Sequence, residues 1–270
     1  MTTEEKTALS GFLNLTSDYL RGGYARSREE YAIEDETPHS SLPLAYTLEE
    51  SAEESEGYNE GDPNSEDSKY SLDNIAAQIN ACQACGLAAT RTKAVPGEGA
   101  ARPLVMVIGE GPGEDEDSSG RPFVGKACQL LDRMLASIAL FRDKNCFIAN
   151  IVKCRPPGNR DPAPDEIEFC FPHLERQILQ LRPNLILCVG RVASRSLLKT
   201  GQGINALRGS FVELKIGDAV IPVLPTFHPS ALLRDESNKR PAWEDLKLLR
   251  SRLASINEEY AASLEKSDGE

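Results

Sequence analysis

Three apolar runs constrain this chain more than any other feature: residues 104–108 (LVMVI), 146–151 (CFIANI) and 185–189 (LILCV). None alternates apolar with polar, so a strand built from any of them is covered on both faces. That is the signature of a parallel sheet with helices on either side. The segments between them carry helical periodicity, over residues 125–140, 164–181 and 191–199, and again near the end over 242–259. Residues 211–214 and 220–224 flank Ile216-Gly217-Asp218 and read as an antiparallel hairpin. The expected architecture is α/β, a three-layer α/β/α sandwich with a central, mostly parallel sheet, spanning residues 71–270. Such sheets bind ligands beyond the carboxyl ends of their strands, so the loops after residues 108, 150 and 224 hold the candidate site.

Residues 1–70 have a different character. They hold 5 Lys/Arg against 17 Asp/Glu, which accounts for the whole net charge of −12. Residues 24–70 are poor in aliphatics and read as a disordered acidic arm, while residues 4–21 have the spacing of a short amphipathic helix. With its charge confined to the arm, residues 71–270 are balanced and compatible with a local basic groove for nucleic acid. No apolar run is long enough to span a bilayer and the start is not a signal peptide, so a cytoplasmic protein is expected; it is read as a monomer with the arm as a candidate tether to a partner.

An odd number of cysteines, seven, in a reducing compartment reads better as metal ligands than as disulfides. Cys82 and Cys85 form a C-x-x-C pair, and Cys154 and Cys170 follow at longer spacing. Zinc ribbons use two short pairs, so the long second spacing favours an iron–sulfur cluster without excluding zinc or redox use. Cys128, Cys146 and Cys188 are read as small core residues.

The loop after the first run, GEGPGEDEDSSGRPFVGK, resembles a phosphate cradle. Its Gly120-x-x-x-x-Gly125-Lys126 lacks the Ser or Thr that holds magnesium, because Ala127 stands there, and Pro122 has no N–H to offer phosphate. Gly109-x-Gly111-x-Gly113 meets Glu114 where a dinucleotide fingerprint needs a third glycine. What remains is glycine backbone that admits a flat ligand, a phenylalanine able to stack on a ring, and carboxylates able to meet a base edge or position water. Asn150, whose amide both donates and accepts, and His228, beside Pro229 and Ser230, stand at two other strand ends. The combination suits a nucleobase.

These residues together resemble the family 4 (iron–sulfur, type A) uracil-DNA glycosylases. The shared pattern is C-x-x-C, GEGPGEDED, GRPFVG, ANIVKCRPPGNR, a cysteine on the next helix, CVG and FHPSALLR, in order over about residues 72–255. The resemblance implies a glycosylase of DNA repair that flips uracil out of DNA and hydrolyses its N-glycosidic bond, with uracil-containing DNA as partner. It implies a 4Fe-4S cluster on Cys82, Cys85, Cys154 and Cys170. It also implies that Gly109, Glu110 and Gly111 line the base pocket, Phe123 stacks on the base, Asn150 reads its amide edge and His228 faces a carbonyl. Glu116 would sit near the base C5 and disfavour thymine. Asn159, Ser230, Leu232 and Arg234 would lie near DNA, with Leu232 or Arg234 entering or bracing the duplex. The group that positions the attacking water stays open among Glu110, Glu116 and a backbone carbonyl, because Gly111 stands where the best-known uracil glycosylases carry an aspartate. Two other readings compete: a non-catalytic iron–sulfur DNA-binding module recruited to replication or repair proteins through the acidic arm of residues 1–70, and a zinc-containing NTPase.

Overall fold

The structure, a computed structural model, describes residues 71–267. The acidic arm and its expected helix lie outside them. Six strands form one sheet: β1 (Glu98–Gly99), β2 (Val105–Gly109), β3 (Cys146–Asn150), β4 (Leu185–Val189), β5 (Val212–Ile216) and β6 (Ala219–Thr226). Their order is β1-β3-β2-β4-β6-β5. The four inner strands are parallel, and β1 and β5 add antiparallel edges.

Every residue of β2, β3 and β4 is buried, as the unbroken apolar runs require. Alternate side chains of β2 serve two separate cores. Val105 and Val107 face Leu130, Met134, Trp243 and Leu246. Met106 and Ile108 face Leu174, Ile178, Ala193 and Leu197. The first core is covered by the helices Lys126–Ala136 and Lys239–Ile256, the second by Pro164–Leu181 and Arg191–Leu198. This is the expected three-layer sandwich.

Four elements depart from the sequence reading. β1 is a two-residue strand on the outer edge of β3. A Cβ at Gly99 (φ +146°) would lie 2.2 Å from the Cys146 carbonyl, so only glycine permits this approach. The acidic run is not an open loop but a helix, Glu114–Ser119, ended by Gly120 in the left-handed region. Its four carboxylates, at residues 114–117, sit in the first turn, where the helix dipole favours negative charge. FHPSALLR contributes another short helix, Pro229–Arg234. The expected last helix is two helices, because Asn257 leaves helical geometry and its side chain accepts from the N–H of Tyr260, starting Glu258–Ser267.

From β2 the chain passes outward to β3 and then returns across β2 to β4. The strand order therefore reverses at β2, which opens a crevice at its carboxyl end.

Candidate active site

The crevice is built from the ends of β2, β3 and β6. Gly109 closes β2, and a Cβ there would lie 2.4 Å from Phe123 Cζ and 2.5 Å from Asn150 Oδ1. Gly109, Phe123 and Asn150 thus meet at one point. Asn150 ends β3, is 1 % exposed, and its Oδ1 has no hydrogen-bond partner among the described residues. A buried acceptor left unsatisfied costs about 1–3 kcal/mol, which makes Asn150 Oδ1 a candidate to meet a ligand. The Phe123 ring stands 5.9 Å from that of His228, tilted by 35°. Gly111 packs against Val152.

Phe123 adopts φ +52°, a strained value for a residue with a side chain. Arg142 holds it there. Its guanidinium donates to the carbonyls of Pro122 (2.7 Å) and Phe123 (2.9 Å) while pairing with Glu98 and Asp132. Glu116 braces the same loop from inside. Its carboxylate accepts from the backbone N–H of Gly113 (3.0 Å), Val124 (2.9 Å) and Gly125 (3.0 Å). Asp117 accepts from the Thr92 N–H and pins the segment beside the cysteines.

His228 caps the helix Pro229–Arg234. Its Nδ1 accepts from the backbone N–H of Ser230 (3.2 Å) and lies 2.8 Å from the Ser230 hydroxyl. A backbone amide can only donate, so Nδ1 is bare and the ring proton resides on Nε2. Burial, reinforced by Arg234, pushes the imidazole down to about 4, so it is neutral at neutral pH. Behind it, Thr226 donates to the fully buried Asp245 (2.6 Å), which also binds Arg208 (2.7 Å). This fixes the β6 end from which His228 projects.

Glu110 leads out of β2. Burial and the neighbouring Asp161 raise its carboxyl to about 7, against the opposing pull of Arg191. Asp161 and Arg191 pair at 2.5 Å on exposed surface. Of the four residues expected near DNA, Ser230 is taken up by His228. Asn159 is exposed and accepts from Arg155 (2.8 Å), and Arg234 is exposed. Leu232 is corrected: it is 0 % exposed within the core beside Trp243 and Leu246, and a side chain in that position cannot enter a duplex.

The four cysteines of the expected metal set line one small cavity, together with Arg91, Lys153 and His173. Cys82 follows the helix Leu72–Ala81, Cys85 precedes the short turn Gly86–Ala89, Cys154 follows β3, and Cys170 lies on Pro164–Leu181. Among the described residues, no group of three or more His, Cys, Asp or Glu side chains is disposed to hold a single metal ion. Four cysteines around one cavity supply the four sulfur ligands that a polynuclear iron–sulfur cluster uses. Two N–H groups already point at the sulfurs: Arg91 Nη1 to Cys154 Sγ (3.0 Å) and the Lys153 amide to Cys170 Sγ (3.2 Å). Cys146 and Cys188 lie elsewhere, 0 % exposed, their thiols pushed up to about 12 by burial. The Cys128 side chain is outside the described set.

Sequence reasoning missed Arg142, Asp117, Lys153 and Gln177. The last two carried a signal: a lysine within the apolar string ANIVKC, and a glutamine on the apolar helix face shared by Cys170, Leu174, Ile178 and Leu181. Arg142 and Asp117 act at positions distant in sequence and carried none.

Comparison with known proteins identifies the family. The sequence model of the uracil DNA glycosylase superfamily matches residues 96–247. The type-4 uracil-DNA glycosylase of Saccharolobus solfataricus is 43 % identical over 188 residues, 68 % of this chain and 87 % of that protein. That of Archaeoglobus fulgidus is 42 % identical over 167 residues, covering 60 % and 83 %. That of Thermotoga maritima is 40 % identical over 181 residues, covering 66 % and 92 %.

Proposed function

The chain belongs to the uracil DNA glycosylase superfamily, in its type-4 branch, and we propose that it releases uracil from DNA at the crevice where β2, β3 and β6 end. It is a uracil-DNA glycosylase of DNA repair. The observation that carries the residue assignments is the buried, unpartnered Oδ1 of Asn150. Uracil offers an N3–H donor beside the O4 acceptor, which an amide side chain matches with one acceptor and one donor. Cytosine offers neither in that order and leaves Oδ1 unsatisfied.

The extruded base lies over the Gly109 backbone and stacks on Phe123. As the glycosidic bond lengthens, positive charge grows on the sugar and negative charge on uracil. His228 meets that charge with its Nε2–H, a neutral donor held in orientation by Ser230. Such preorganised donors contribute about 10²–10³ in rate. Of the two carboxylates, Glu110 is the one to position the attacking water, because Glu116 already spends its carboxylate on three backbone amides. Glu116 is then a positioning residue: it sets the wall that faces the base C5 and leaves no room for a methyl group. Arg234 and Asn159 lie on the side that faces DNA.

Cys82, Cys85, Cys154 and Cys170 would hold a 4Fe-4S cluster. When bound, it supplies iron–thiolate bonds that tie the segment after residue 81 to the β3 loop and the helix carrying Cys170. Hydrolysis at the pocket transfers no net electrons, so the reacting groups are those of the crevice.

Incubation with an oligonucleotide carrying one uracil tests the reading. The protein yields an abasic site that breaks under alkali, and His228→Ala lowers the rate at least about 100-fold with folding intact. A folded His228→Ala variant at the parent rate would refute the role given to His228.

A further inference from the structure

Lys153 is the least expected residue in the interior. It is a lysine 1 % exposed, one residue before Cys154, and it lines the cysteine cavity. Its Nζ donates to the carbonyl of Asn150 (2.8 Å) and to Oε1 of Gln177 (2.7 Å), both neutral oxygens. Gln177 is in turn fixed by donating from Nε2 to the Pro96 carbonyl (2.7 Å). Among the described residues no carboxylate pairs with Lys153, and the ionisable side chains that line the cavity with it are Cys82, Cys85, Cys154, Cys170, Arg91 and His173. A buried ammonium without a counter-charge costs several kcal/mol, and neutral acceptors alone do not offset it.

The cavity on the other side has the opposite deficit. Four thiolates carry more negative charge than an oxidised 4Fe-4S core carries positive. Arg91 answers this on the solvent side, where it is only half-buried. On the inner side stands Lys153.

We infer that Lys153 is the internal counter-cation of the four-cysteine cluster site and, through the Asn150 carbonyl, the strut that ties that site to the base pocket. One ammonium faces two sites. It neutralises the sulfur cage and holds the end of β3, whose side-chain amide reads the base. The inference rests on the cluster reading above and extends it to a residue that touches neither substrate nor iron. Lys153 is accordingly a positioning residue.

The test uses the full-length, cluster-loaded protein and compares the parent with Lys153→Met and Gln177→Glu. Iron per chain, the rate of iron release to EDTA, the cluster midpoint potential and KM for uracil-DNA are measured. Removing the cation, or placing an anion beside it, favours the oxidised, less negative cluster. Both variants are therefore expected to show a lower midpoint potential. Lys153→Met should also release iron about tenfold faster and raise KM more than it lowers kcat. Gln177→Glu keeps an acceptor for Nζ, so it reports the charge effect even where the methionine variant fails to fold. A merely structural strut would not move the potential. Unchanged potentials in cluster-loaded variants overturn the counter-cation assignment alone. A parent protein that excises uracil but takes up no iron overturns the cluster reading and this inference with it.

Discussion

Gly109→Ala isolates the geometry of the base pocket with one methyl group. The backbone at Gly109 lies in an ordinary strand conformation, so alanine is tolerated there as far as φ and ψ are concerned. The new Cβ would sit 2.4 Å from Phe123 Cζ and 2.5 Å from Asn150 Oδ1. Carbon atoms in ordinary contact need about 3.5 Å, so the Phe123 ring and the Asn150 amide must each retreat by about 1 Å. A misplacement of about 1 Å at a reacting centre costs about 100-fold. That is about 2.7 kcal/mol of transition-state stabilisation lost from kcat/KM. Fold stability should fall by only about 1–3 kcal/mol, the usual range for one added methyl in a packed interior. Single-turnover release of uracil from a labelled oligonucleotide, read as alkali-sensitive strand breaks, gives the rate. Urea unfolding gives the stability. A folded Gly109→Ala protein within threefold of the parent would show that Phe123 and Asn150 do not grip the base between them.

Four further outcomes follow from the same geometry. Glu110, raised to about 7 chiefly by burial, must be ionised to position water, so kcat/KM should rise with pH through about 7 and Glu110→Gln should lose both rate and that limb. His228, held down to about 4, should add no separate limb near the usual histidine value; a pH–rate profile of parent and variant decides both points. Glu116→Gln replaces one carboxylate oxygen with a donor that faces a backbone N–H, and should lower stability by about 1–3 kcal/mol in urea titration. Arg142→Met removes the donors to the Pro122 and Phe123 carbonyls, and should raise KM for uracil-DNA about tenfold, about 1.4 kcal/mol, with a smaller fall in kcat. An unchanged KM would mean that Phe123 keeps its place without the guanidinium.

The central sheet was legible because burial on both faces leaves an unmistakable mark: LVMVI, CFIAN and LILCV are all strands. The hairpin was legible from Gly217, now seen at φ +51°. The site was legible where chemistry falls at strand ends, as with Asn150 and His228. The acidic run was not legible as a helix, because a six-residue segment shows no hydrophobic period. Its carboxylates act on backbone amides that only the folded loop brings near. Leu232 was misplaced because a motif gives the order of residues along a short helix but not which face turns inward. Arg142 reaches the Phe123 loop from the far end of the helix Lys126–Ala136, a juxtaposition written in no local pattern.

Phe123 ends with a consequence for anyone seeking a hardier form of this protein. Its left-handed backbone is a cost of about 1–3 kcal/mol that glycine would largely relieve. Glycine there would also delete the ring assigned to stack on the base. Phe123 is 5 % exposed within the first core. Emptying that place costs about 3–5 kcal/mol, more than the strain relieved. Libraries screened for survival at high temperature and for base release should therefore both keep an aromatic residue at position 123.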